Sequence, residues 1–152
     1  MENDKEHRLQ LIADYRQWLE PYFRYIPWFE ERIGKNQAKL YDGDNTSQTI
    51  SVPVYDSTLL NFVKSINSTG FMNRNYPYIY SKYGLTSCAD ELARIEKCDL
   101  KDVDVIVGII SKYVIGGMAK GKLWTDAVSE GIFYHALVRI KQILDVWGDE
   151  RA

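Results

Sequence analysis

Residues 103–123 read VDVIVGIISKYVIGGMAKGKL, and whether their first half is a strand or a helix decides the fold. The last eight, GGMAKGKL, place Gly116, Gly121 and Lys122 on the phosphate-loop pattern G-x-x-x-x-G-K-[ST]. That loop needs a strand running into its first glycine, a parallel sheet to hold it, and a hydroxyl in last place to ligate Mg²⁺. Here the last place holds Leu123. Upstream, Val103, Ile106, Val107, Ile110 and Val114 recur at intervals of 3, 1, 3 and 4, which is one stripe of a helix. The β-branched content keeps a strand open as the alternative. The chain beyond Lys122 is helical in pattern and offers no strand ending in a metal-organising aspartate. The stretch therefore reads as a helix ended by Gly116 and Gly117, a basic glycine turn over 116–122, and a short helix around Trp124 to Val128.

Working outward, the pattern stays helical. Gly131 separates the short helix from a last one in which Phe133, Leu137, Ile140, Leu144 and Trp147 recur at intervals of 4, 3, 4 and 3, a narrow seam. Packing inside the domain accounts for it, with a homodimer as the alternative. Upstream, Ser87 can cap a helix that carries Asp90 and Glu91 in its first turn and turns Cys88, Leu92 and Ile95 inward, and Asp99 can start the next. Asp56 or Ser57 caps a helix through Leu59, Leu60, Val63 and Ile66, closed by Gly70. Near the N-terminus, apolar residues recur helically from Leu9 to Phe23, and Pro27 can open a short helix ending at Gly34. Its dense aromatics (Tyr22, Tyr25, Trp28, Phe29) suit a core corner. Two stretches break the pattern. Residues 36–55, with the turn formers YDGDNTSQ and then Ile50, Val52 and Val54 alternating, suggest a hairpin or extended insertion, with Pro53 confining any strand to an edge. Residues 71–83 read as an aromatic-rich loop.

A chain of 152 residues is long enough to bury one self-sufficient core. Its net charge of −2 argues against a nucleic-acid binder with a globally basic surface. The N-terminal MENDKEHR has no apolar signal core, and Val103 to Ile115 is interrupted by charge and shorter than the roughly 20 residues a membrane span needs. Cys88 and Cys98 form no disulfide framework, so a reducing cytoplasm is the expected compartment.

The chemical candidates are few. His7 and His135 lie far apart and no zinc spacing is present, so no metal or cofactor is expected. Asp42-Gly43-Asp44-Asn45 has its glycine in the wrong place for a calcium loop. Ser129, His135 and Asp126 lie close in sequence but match no nucleophile motif. Two features remain. Arg74 stands among Tyr76, Tyr78, Tyr80 and Tyr83, a mixture suited to stacking on planar groups. Lys112, Lys120 and Lys122, with Trp124 just beyond, fall in a stretch from Val105 to Thr125 that has no acidic residue. Lys112 near a helix C-terminus would complement the macrodipole; the other lysines could hold an anion.

Three segments taken together carry a resemblance: IPWFEE at 26–31, PVYDSTLLNFVKSINSTGFMNRNY at 53–76 and IISKYVIGGMAKGKLWTDAVSEGIFYHALVRI at 109–140. They resemble the bacterial and archaeal family called domain of unknown function 6508, with Pro27, Phe29, Tyr55, Phe62, Gly70, Phe71, Gly121 and Gly131 on its pattern. Where that family has Arg-Phe ahead of the turn glycine, this chain has Gly117 and Met118. That family has no assigned activity, so the resemblance supports the fold boundaries and the absence of a phosphate loop and names no substrate.

The expectation is a single, mainly helical domain over residues 1–152, a bundle of about six helices with an irregular or small β-hairpin insertion near 36–55. The expected role is a non-enzymatic binding or regulatory module, with a protein or a second copy as partner. Its surface would combine Arg74, Tyr76 and Tyr78 with Lys120, Lys122 and Trp124. The alternatives are a protein acting on or binding a phosphorylated small molecule through the lysines, and a nucleic-acid binder.

Overall fold

The computed structural model describes residues 2–34, 38–41, 52–55 and 57–148. The chain is mainly helical. Helix α1 (Glu2–Leu19) passes into a tighter 3₁₀ segment (Glu20–Tyr25), and α2 (Ile26–Glu30) comes next. The change of winding comes where Pro21 enters: proline has no N–H for an α-helical bond and is tolerated only in a first turn. Pro27 likewise occupies the first turn of α2. Strands β1 (Ala38–Tyr41) and β2 (Val52–Tyr55) pair antiparallel, with Ala38 opposite Tyr55. Residues 42–51, the middle of the expected insertion, lie outside the described residues.

Then come α3 (Ser57–Ser68), α4 (Tyr76–Tyr83), α5 (Cys88–Lys97), a single 3₁₀ turn (Leu100–Asp102), α6 (Val103–Ala119), α7 (Lys122–Ser129) and α8 (Ile132–Gly148). Ser87 caps α5 as its position suggests, its hydroxyl accepting from the Asp90 amide at 3.2 Å. Asp99 and Asp102 form a reciprocal capping box ahead of α6.

Two expectations are corrected. The aromatic segment is not a loop throughout: from Tyr76 to Tyr83 it is α4, with Pro77 in the first turn, where its missing donor costs no hydrogen bond. Nor do Gly116 and Gly117 end α6, which continues to Ala119. They are the seat of α7. A methyl group on Gly117 would lie 2.1 Å from the Trp124 ring, and one on Gly116 would lie 2.8 Å from Leu123 Cδ1. Missing side chains let two helices joined by a short turn close onto each other.

Helix α6 is the axis of the fold. It packs against α3, α4, α5, α7 and α8, and its buried residues (Val105, Ile106, Val107, Ile109, Ile110 and Val114 among them) point to every side. The expected stripe is therefore too narrow; a helix apolar all round belongs at the centre. Gly108 lets α4 approach, since a methyl group there would meet Ile79 Cδ1 at 2.3 Å. The seam of α8 is spent inside the chain: Phe133, Leu137, Ile140 and Leu144 have no solvent exposure. Beside it, Phe29 and Phe62 meet edge to face at 4.9 Å and Phe62 and Phe133 lie 5.0 Å apart, so the aromatics near Pro27 do form a core corner.

Candidate functional site

Where α5, α6 and α7 meet, an open cleft of about 380 Å³ enters the surface. Ser87 and Cys88 at the start of α5 form one side, Lys112 and Tyr113 of α6 the floor, and Lys122, Leu123, Asp126 and Glu130 the wall along α7. Its size is at the low end for small-molecule sites.

Also lining the cleft is a charge that the amphipathic pattern does not assign to the interior. Glu91, in the first turn of α5, is 1% exposed. The Tyr113 hydroxyl donates to its Oε1 at 2.5 Å. The Tyr80 hydroxyl donates to its Oε2, and the Lys112 ammonium lies 3.4 Å from that same oxygen. Lys112 also rests 4.8 Å and 4.9 Å from the centres of the Tyr80 and Tyr113 rings. A buried carboxylate is tolerated only when paired and hydrogen-bonded, and here α4 and α6 bring those partners to α5. Burial first, and then the hydrogen bond to Glu91, pushes both phenols well above their ordinary range. Lys112 thus has a different task from the one its sequence position suggests. It lies mid-helix, because α6 continues past it, and neutralises Glu91 instead of capping a dipole.

Cys88 stands at the mouth of this network, its sulfur 3.7 Å from the Tyr113 hydroxyl. Burial raises its pKa above the ordinary value; the Tyr113 hydrogen bond opposes this, while the charges of Glu91 and Glu130 add to it. The balance favours the thiol over the thiolate.

The residues singled out from sequence are only partly brought together. Lys122 lines the cleft and pairs with Asp126 at 3.7 Å. Lys120 is exposed at the end of α6. Tyr76 begins α4, meets Tyr80 edge to face at 6.4 Å, and has its hydroxyl 3.9 Å from where a methyl group on Gly116 would be, so the aromatic segment and the glycine pair do adjoin. Arg74 and Tyr78 are exposed. Trp124 is buried and donates its indole N–H to the Val114 carbonyl at 3.1 Å, which makes it a packing residue here. Ser129 donates to the Asp126 backbone carbonyl at 3.5 Å, so its hydroxyl is turned to its own helix. Among the described residues no group of three metal-ligating side chains is placed to hold an ion, and no helix is long and apolar enough to cross a membrane.

Sequence reasoning misses Glu91, Tyr80, Tyr113 and Cys88 as a set. One signal is present: Glu91 lies three residues after Cys88 and four before Ile95, which puts a charge on the inward face of α5. No family model matches the chain, and no curated protein and no solved structure is significantly similar to it.

Proposed function

We propose that this protein is a non-enzymatic binding module. Its recognition surface is the cleft between α5 and α7 together with the adjoining junction of α4 with the Gly116 region. One observation supports this above the others: every reactive group at the cleft floor is already engaged. Both Glu91 oxygens accept hydrogen bonds, Lys112 is paired, and the Cys88 sulfur lies against the Tyr113 hydroxyl with its pKa raised by burial. A general base must reach its substrate and a nucleophile needs activation, whereas Glu91 is buried under two hydroxyls and an ammonium and burial pushes the Cys88 thiol up. An internally satisfied floor under an open cleft suits binding without turnover.

A second reading, a phosphorylated small molecule held by lysines, draws on Lys112 and Lys122 lining one cleft. Nucleic-acid binding would use the exposed Arg74 and Tyr78, with a steep loss of affinity as salt rises. Membership of the family called domain of unknown function 6508, a small hairpin insertion near 36–55 and a cytoplasmic setting belong to the same proposal. The first draws on Phe29, Phe62 and Gly131, to which the fold gives distinct packing and turn roles.

Native mass spectrometry of protein purified gently from its host, with denaturation as the second step, tests the reading. A retained molecule or partner that is released unchanged is the expected result. Progressive conversion of the retained molecule into a product on incubation would overturn it.

A further inference from the structure

Helix α7 carries its charges in the order that its own dipole disfavours. Lys122 is the first residue of the helix and Glu130 its C-terminal cap, whereas cations are stabilised at the opposite end and anions at the start. Lys122, Asp126 and Glu130 all line the cleft, so the order faces the cavity. Over eight residues the two ends lie about 12 Å apart along the axis. The Lys122–Asp126 pair gives the helix modest support four residues apart, but nothing in the helix itself calls for Glu130 at its C-terminal end.

The charges of the cleft are also unequal in how they are satisfied. Glu91 and Lys112, which both line the cleft, neutralise each other. Lys122 and Asp126 are joined at 3.7 Å, but the lysine side chain is 75% exposed, and pairs of that kind contribute little and exchange readily. Glu130 has no hydrogen-bond or ion-pair partner for its carboxylate among the described residues, although its charge reaches Cys88 across the cleft. Once Lys122 and Asp126 part, the wall offers a cation at one end and two carboxylates towards the other. Leu123 lines the same wall as an apolar contact.

Resting on the binding-module reading, we propose that the cleft takes a small zwitterion. Its ammonium group binds at Asp126 and Glu130, its anionic group at Lys122, and its apolar middle lies on Leu123. The exposed internal pair is exchanged for two charge-assisted contacts to the opposite ends of one ligand. An anion alone meets Glu130 unbalanced, and an amine alone leaves Lys122 unused.

Titration calorimetry on the full chain with 6-aminohexanoate, hexylamine, hexanoate and inorganic phosphate tests this. The zwitterion should bind more tightly than each of the other three. Glu130→Gln should weaken it about tenfold and abolish its advantage over hexanoate, and Lys122→Gln should weaken it to a similar degree and abolish its advantage over hexylamine. Unchanged melting temperatures would show that the variants fold. Equal or tighter binding of hexanoate or phosphate, or an affinity that neither variant changes, overturns the zwitterion while leaving a binding cleft. Binding of none of the four also overturns it, and the mass-spectrometric experiment then decides the broader reading on its own.

Discussion

The indole of Trp124 occupies the space that a side chain on Gly117 would need, with its Cδ1 and Nε1 both 2.1 Å from that missing methyl position. The ring is anchored there by its hydrogen bond to the Val114 carbonyl, so it cannot swing away without leaving a buried donor unpaired.

Gly117→Ala should therefore destabilise the protein by about 1–3 kcal/mol, although alanine is the better helix former. Gly116→Ala is the control. Its methyl group would press mainly on the flexible end of Leu123, and the gain in helix propensity offsets that contact to within about 1 kcal/mol. Urea denaturation of the two variants distinguishes them. Equal stability would mean that the glycine pair is not the seat of α7.

The buried carboxylate gives a second test. Glu91→Ala removes the acceptor for two tyrosine hydroxyls and the partner of Lys112, and the expected cost is about 3–5 kcal/mol. Glu91→Gln keeps an acceptor and should cost less than half of that. Equal losses for the two would show that side-chain volume, and not the hydrogen-bonded charge, holds the three helices together.

Alkaline pH should unfold the protein through the same groups. Tyr80 and Tyr113 are raised above 10.0 in the folded state, and Cys98 is pushed by burial from 9.0 to about 11. A raised acid keeps its proton in the folded chain after the unfolded chain has released it. The unfolded state then binds fewer protons and is favoured increasingly as pH rises. The Cys98 contribution is intact below pH 9.0 and lost by about 11; the tyrosine contributions begin to fall at 10.0 and continue to fall above it. Between pH 10.0 and about 11 the stability of Tyr113→Phe should fall less steeply than that of the parent protein, which denaturant titration across that range would measure. Parallel slopes would exclude Tyr113 as a source.

Gly131 holds φ 80° at the turn between α7 and α8. A β-branched residue is strained there, and a Cβ would also lie 3.1 Å from His135 Cδ2. Gly131→Val should cost about 2–3 kcal/mol and lower the melting temperature by several degrees. An unaltered melting temperature would contradict the turn.

These tests also mark which parts of the molecule can be read locally. The Ser87 cap, the Asp99 start and the Pro27 first turn each depend on residues within a turn of one another, and the α8 seam on one periodic run, and the structure contains them. The glycine pair misleads because glycine usually ends a helix. Its task here is set by Trp124, which returns to it only after the chain has turned. Helix α4 is hidden by asparagines and a proline that resemble a loop when their place in a first turn is unknown. Of the candidate site, Lys122 is legible as a cation in an acid-free stretch. The Glu91 network is not, because its hydroxyls come from α4 and α6, 11 residues before and 22 after the carboxylate in the chain.

The central position of α6 has a consequence for synthesis. A ribosome releases α6 before α7 and α8, the helices that cover two of its sides, so a strongly apolar and β-branched segment waits uncovered while they are made. Its β-branched residues give it little helical stability of its own during that interval. The nascent chain is thus exposed to misassociation through α6 until α7 and α8 have emerged to cover it.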